Sequence, residues 1–312
     1  MLSLIRYVLL AIGMAGWAHI ASAQAPLPAD PLASQCRVLV TPAPPSWEIS
    51  GFDPFGDTLA EGTFNVTFLN QSDVECEFIP NFELTLPPFG LSKGTGTRIP
   101  YAILDLNESQ DVTPRAGRTQ RRSGARPLTL GPRETRSVLY RLVVNTNQVR
   151  SAGTFSQELV LEAQDPDFRS FGGAPISIGL NVLPSARMGL AGAYTITDGQ
   201  AFVDLGQLRP GPAPVPLNLR VNSTGRYSIT VSSANAGVLR LGTSEWSIPY
   251  NMIIGEDTLN LRGLERVTGT GQNAGVDAIQ LDVLPIRFII GNTDNLRAGR
   301  YSDIISISVS AR

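Results

Sequence analysis

Apolar and polar positions alternate with a period of two through much of the chain. Phe64, Val66 and Phe68 alternate with Asn65 and Thr67, Leu217, Leu219 and Val221 with Asn218 and Arg220, and Tyr227, Ile229 and Val231 with Ser228 and Thr230. Successive side chains of a strand face opposite ways, so each such run has one apolar and one wet face. Clusters of Gly, Pro, Asn and Asp separate the runs as turns. No stretch carries a capped stripe of helical period. The pattern predicts an all-β chain, and 312 residues are a natural length for two sandwiches.

The halves also repeat each other. Ile99-Pro100-Tyr101 precedes an apolar strand, Ala102 to Leu106, and Ile248-Pro249-Tyr250 precedes another, Asn251 to Ile254. Arg141, in the strand Leu139 to Val144, is followed by Asn145-Thr146-Asn147 and Ala152-Gly153-Thr154-Phe155-Ser156. Its counterpart Arg287, in Ile286 to Ile290, is followed by Asn292-Thr293-Asp294-Asn295 and Ala298-Gly299-Arg300-Tyr301-Ser302. The Arg-to-Gly spacing is 12 in both halves. An ordered series with preserved spacing reads as two divergent copies of one domain.

Composition narrows the chemistry. A formal charge of −2 is too near neutral for an electrostatically driven nucleic-acid binder. Residues 1–23 read as a signal peptide: Arg6, an apolar run from Tyr7 to Ala18 that is short for a membrane span, and a closing Ala21-Ser22-Ala23. A retained anchor is the alternative. Cleavage removes His19, the only histidine, and with it any Ser-His-Asp, Cys-His or His-ligated zinc arrangement. In an exported protein the two cysteines, Cys36 and Cys76, read as a disulfide, two free thiols being the alternative. There is no P-loop, no GxGxxG after a strand and no DxDxDG loop, so no cofactor or metal is expected. A carboxylate-based hydrolase would need an acidic pair in a cleft, and no motif supplies one.

The ending Ala298-Gly299-Arg300-Tyr301-Ser302-Asp303-Ile304-Ile305-Ser306-Ile307-Ser308-Val309 resembles the aGxYxDxIxVxV signature that closes the spore coat protein U domain. Phe52-Asp53-Pro54-Phe55-Gly56-Asp57 resembles that family's early FGxYDP-like segment in disturbed order. The family includes pilus subunits of the archaic, Csu-type chaperone–usher pathway. The resemblance implies two tandem immunoglobulin-like, pilin-type sandwiches, each needing a strand from elsewhere for completion. It implies as partners a periplasmic pilus chaperone, an outer-membrane usher and the next pilus subunit, with an abiotic or host surface as target. The second copy lacks cysteine, so a family disulfide carries over only to Cys36 and Cys76.

Strand placement sharpens this expectation. The first sandwich, residues 24–183, ends in a strand over 175–183 whose Ile176, Ile178, Leu180 and Val182 alternate as an in-cis donor would. The second, 184–312, ends after Tyr301 to Ala311, leaving Tyr301, Ile305, Ile307 and Val309 to line a groove for a chaperone or subunit strand, with Asp303 the exception on that face. Pro26, Pro28 and Pro31 spoil the segment 24–35 as a donor. These expectations point to a tip adhesin; a shaft pilin or spore-coat protein is the alternative. Chain direction puts the loop Gln164 to Gly173 at the far end of the first sandwich, with Phe168 and Phe171 as candidate adhesive residues. Phe89 and Leu91, in the turn Pro87 to Leu91, form a second candidate. Arg115, Arg118, Arg121, Arg122, Arg126 and Arg133 form an arginine-rich segment within 112–136, read as a solvated loop or a surface for anionic groups.

Overall fold

The computed structural model describes residues 35–94, 96–120, 126–269, 280–294 and 296–312. Residues 1–34, which hold the expected signal peptide and the segment with Pro26, Pro28 and Pro31, lie outside these residues, as do Arg121, Arg122 and Asn295. The described part is all-β, with one short 3₁₀ turn at Thr146–Gln148.

The first half comprises β1 (Val38–Ala43), β2 (Ser46–Phe52), β3 (Glu61–Asn70), β4 (Cys76–Leu84), β5 (Tyr101–Asp105), β6 (Gln110–Asp111), β7 (Leu128–Leu130), β8 (Thr135–Val144), β9 (Gly153–Gln164) and β10 (Ser170–Val182). They form two sheets, ordered β1-β3-β8-β5-β6 and β2-β10-β9-β4-β7. This is the strand order of an immunoglobulin-type sandwich. The alternation seen in the sequence explains the layers: Phe64, Val66 and Phe68 of β3 are buried, as are Val138, Tyr140 and Leu142 of β8. Tyr140 centres the core, stacked on Phe64 (5.5 Å) and edge-on to Phe82 (5.1 Å).

The chain changes sheets at Pro44-Pro45. β1 pairs antiparallel with β3, whereas β2 runs parallel to β10, with Ile49 opposite Leu180. Neither proline offers an N–H to prolong the first ladder, and the Pro45 carbonyl instead accepts from Ser177 N at 2.9 Å. Gly172 lets β10 begin over β1. Its φ is +150°, and a Cβ there would sit 1.9 Å from the Val38 carbonyl oxygen.

The second half comprises β11 (Ala186–Gly192), β12 (Thr195–Thr197), β13 (Gln200–Phe202), β14 (Gly211–Pro212), β15 (Leu217–Ser223), β16 (Tyr227–Ser233), β17 (Val238–Leu241), β18 (Ser247–Ile254), β19 (Asp257–Leu259), β20 (Glu265–Gly269), β21 (Gln280–Ile290), β22 (Tyr301–Ser302) and β23 (Ile305–Ala311). The larger sheet runs β11-β15-β21-β18-β17-β22, the smaller β20-β16-β23, and β12–β13 is a separate hairpin. A second core gathers between the two sheets around Val221, Tyr227, Ile229, Val231 and Met252.

The repeat is structural down to the register. Tyr101 lies opposite Val144 and Leu104 opposite Arg141; Tyr250 lies opposite Ile290 and Ile253 opposite Arg287. Gly153 and Gly299 both hold positive φ, 118° and 158°. Two boundaries differ from the sequence reading. The run Tyr301 to Ala311 is not one strand, because at Asp303 and Ile304 the chain passes from β17 in the larger sheet to β16 in the smaller. The expected loop Gln164 to Gly173 is shorter, since β10 already begins at Ser170.

Cys36, just ahead of β1, is bonded to Cys76 at the start of β4, with Cα atoms 5.5 Å apart, so the disulfide joins the two sheets. Replacing both cysteines with serine is expected to cost the first sandwich about 2–4 kcal/mol, by freeing a long loop in the unfolded chain. In the chain without residues 1–23, Trp47 and Trp246 are the two tryptophans, one in each half, so urea unfolding of the Trp246→Phe and Trp47→Phe backgrounds follows each half by itself. Only the Trp47 transition should move.

Candidate functional site

The two sandwiches differ most at one edge. In the first, β9 has a neighbour on each side, β4 and β10. Its inward residues Phe155, Leu159, Leu161 and Ala163 are all buried to 6% exposure or less, and so are Val38 and Val40 across the layer on β1. The covering strand β10 contributes Ile176, Ile178, Leu180 and Val182, each no more than 1% exposed. In the second sandwich β23 occupies the place of β9. It pairs with β16 on one side, and no strand pairs with its outer side among the described residues. Tyr301 of β22, together with Ile305, Ile307 and Val309, is only partly buried, as are Met188 and Leu190 of β11 across the layer. The result is a half-open apolar groove beside a row of unpaired backbone groups, which is a template for another strand.

The groove has a direction. Ala311 lies opposite Tyr227, next to the turn at Thr224, and that turn binds the first half and the connection from it: Ala152 N donates to Thr224 O (3.0 Å), and Ser185 N, in the connection, to Thr224 Oγ1 (2.8 Å). The Ser185 hydroxyl also donates to Asp53 Oδ1 at 2.6 Å. β23 therefore runs toward the first sandwich. At its remote end sits Asp303, which turns inward. Its Oδ2 accepts from the hydroxyls of Tyr250 and Ser233, and its Oδ1 from the amides of Asn235 and Ile304. Burial first, then this carboxylate, hold Tyr250 well above the usual tyrosine range, so it remains a donor. Gln157 is the matching residue of the first sandwich and accepts from Tyr101 in the same way, at 3.4 Å. Sequence reasoning treated Asp303 as an exception in an apolar row; the paired Tyr101 and Tyr250 of the repeat were the signal that could have located it.

The expected adhesive residues do not form one group. Phe168 is half exposed on the loop Asp165–Arg169, with the Arg118 guanidinium 5.0 Å from its ring centre. Phe171 lies within β10, half-buried against the first core. Leu91 is fully buried and pairs with Ile99, so it is core and not a contact residue. Phe89 is also partly buried, 4.6 Å from Tyr101. Their turn is tied to β9 near the second sandwich, because Gly90 N donates to Gln157 Oε1 (2.7 Å) and Lys93 Nζ to Ala152 O (2.8 Å). The exposed apolar residue of that segment is Leu86, which sequence reasoning missed. The arginine-rich segment is partly neutralised by acids from outside the run: Arg115 meets Asp111 at 2.7 Å and Arg133 meets Asp73 at 2.9 Å.

A cavity of about 230 Å³ beside Tyr227 is lined by Glu256, Asp257 and Asp282. Only Asp282 of these acids is buried, and it accepts from the Tyr227 hydroxyl. Among the described residues no group of three His, Cys, Asp or Glu side chains is placed to hold a metal.

No protein-family model matches the chain, and no curated protein sequence matches it. Solved structures to which it is similar include a chain of the CsuC–CsuE chaperone–tip adhesion subunit pre-assembly complex from archaic chaperone–usher Csu pili of Acinetobacter baumannii. There the identity is 12%, the match covers 88% of this chain and 99% of that one, and the TM-score is 0.44. CfaE, the adhesive subunit of CFA/I fimbria of enterotoxigenic Escherichia coli, matches at 12% identity over 83% of this chain and 76% of its own, with a TM-score of 0.32. The CooA pilin subunit from enterotoxigenic Escherichia coli matches at 14% identity over 47% of this chain and 99% of its own, with a TM-score of 0.32.

The burial of the two loop segments has a direct consequence. Leu91→Ala is expected to destabilise the first sandwich by about 2–5 kcal/mol, the usual range for a leucine removed from a packed core. Phe168→Ser should cost no more than about 1 kcal/mol, the worth of an exposed cation–π contact. Urea unfolding followed at Trp47 separates them. Equal losses would mean that the Phe168 ring is core.

Proposed function

We propose that this protein is an exported pilus subunit whose second sandwich takes up a partner's strand along the outer edge of β23. A periplasmic chaperone fills the groove first, and the next subunit, delivered at an outer-membrane usher, replaces it. One observation carries the reading: the first sandwich holds β10 at an edge that the second, built on the same register, leaves open among the described residues. An added strand satisfies such an edge with ladder hydrogen bonds while its alternate side chains fill the apolar groove.

The first sandwich supplies the pattern for that strand. Opposite β9, β10 sets Ala174 against Leu161, Ile176 against Leu159, Ile178 against Gln157 and Leu180 against Phe155. Carried through the repeat, an antiparallel strand on β23 places a small residue against Ile307 and aliphatic residues against Ile305, Asp303 and Tyr301. Each aliphatic side chain buried there contributes roughly 1.5–3 kcal/mol. Such a strand leaves the groove at the end remote from the first sandwich, where a following subunit has room.

The protein belongs at the fibre tip in this reading. β10 is committed within its own sandwich, and Pro26, Pro28 and Pro31 deprive the segment ahead of Cys36 of ladder donors. A subunit that accepts a strand without giving one leaves its first sandwich facing outward, toward an abiotic or host surface, for attachment and biofilm formation. Its chemistry is binding and assembly, not catalysis.

A synthetic peptide with the sequence of Gly172–Val182 tests the groove on the full chain. It is expected to bind, to raise the melting temperature read at Trp246, and to leave the Trp47 transition in place. Ile307→Asp should abolish binding. A native chain that ignores the peptide and stays a stable, soluble monomer would contradict strand uptake.

A further inference from the structure

An open edge strand poses a problem that the first sandwich does not have. β9 is held by ladders on both sides, whereas among the described residues β23 is held by β16 alone, and its inward row is only partly buried. Unpaired edges fray, and a frayed strand is a poor template for another. Something other than a second ladder must keep β23 in register before the partner arrives.

The groove carries one group suited to this. At Asp303 the chain steps from the larger sheet to the smaller, and the carboxylate there gathers four donors from separate parts of the fold. The Tyr250 hydroxyl reaches it from β18 in the larger sheet, at 2.6 Å. The Ser233 hydroxyl ends β16, and the Asn235 amide (3.0 Å) lies in the turn that follows. The fourth donor is the amide of Ile304, at 2.8 Å. A carboxylate offers about four acceptor positions, so this one is fully used by groups already in place. The Ser233 hydroxyl extends the network by accepting from Gly237 N at 2.8 Å.

The same position in the first sandwich is instructive. Gln157 also meets the tyrosine of its half, and its remaining bonds go to the segment Leu86–Gly90, which follows β4 as the Asn235 turn follows β16. There the strand is already fixed by β10, and a neutral amide suffices. Hydrogen bonds to an ionised acceptor are about twice as strong as neutral ones. The charged residue stands in the copy that shows no covering strand among the described residues.

We infer that Asp303 is the positioning residue that keeps β23 aligned to receive a strand while its outer edge is unpaired. The inference rests on the strand-uptake reading. Asp303 acts through the backbone it holds: by tying the start of β23 to the end of β16 and to β18, it fixes the end of the groove from which the incoming strand departs. Because its acceptor positions are filled, an aliphatic residue of the incoming strand can cover it without leaving an unpaired polar atom.

The test uses the full chain, the Gly172–Val182 peptide and amide hydrogen exchange. Asp303→Asn preserves shape but replaces an acceptor with a donor facing donors. It is expected to lower peptide affinity about tenfold, the equivalent of one such bond, and to speed exchange in β23 while β21 stays protected. Native affinity together with native exchange in β23 would overturn the inference. If the second sandwich of Asp303→Asn does not fold, Tyr250→Phe and Ser233→Ala decide. Each should weaken binding and loosen β23, and unchanged binding in both would overturn it. If the native chain does not bind the peptide, the strand-uptake reading fails. Exchange in β23 then judges Asp303 alone: faster exchange in Asp303→Asn supports its positioning role, and unchanged exchange removes it.

Discussion

Pairing between β9 and β10 runs from Gly153 opposite Val182 to Gln164 opposite Ser170, closing the first sandwich along that whole edge. The ladder does two things at once. It satisfies the outward backbone groups of β9, and it lays Ile176, Ile178, Leu180 and Val182 over a row that would otherwise be wet. The second sandwich repeats the rest of the pattern, with the same tyrosine opposite the last residue of the same strand pair, but among the described residues it has no such ladder. A half-exposed apolar row and an unpaired strand edge at one place are costly in water. In the proposed function the two costs have a common remedy, a strand from another chain.

The strand that completes the first sandwich is also the connection to the second. β10 ends at Val182 and β11 begins at Ala186, so three residues separate the two cores. Those residues are tied down: Leu183 N donates to Phe52 O at 2.8 Å, and Ser185 exchanges bonds with Thr224 in both directions. The geometry in which a strand finishes one sandwich and leads directly into the next is thus built into the chain once already. An incoming strand on β23 would repeat it between molecules.

Much of this was legible in the sequence, for reasons that also mark the limit. Alternation gave β3, β15 and β16 because a period of two reports which side chains share a face. The repeat of Tyr, Arg and Gly gave the two halves, and the apolar run after Gly173 gave β10. What alternation cannot report is which neighbour a face meets. Leu91 looked like a turn residue, but the turn folds back along β9 and buries it. Phe171 looked like part of a loop, but β10 begins one residue before it and turns its ring toward the core. Asp303 interrupts an apolar row in the sequence, and only the sheet crossing brings Tyr250, Ser233 and Asn235 around it from positions far apart in the chain. Local periodicity carries strands and faces; loops and polar ties are decided by contacts between distant residues.

Amide hydrogen exchange on the native full chain compares β9 with β23 inside one molecule and at one pH. With β10 in place and the outer edge of β23 open, the account predicts slow exchange throughout β9 and fast exchange at the outward amides of β23, with the β23 amides slowing once a strand is bound. Equal, slow exchange in β9 and β23 of the isolated monomer would contradict it, since the second sandwich would then be closed by its own chain.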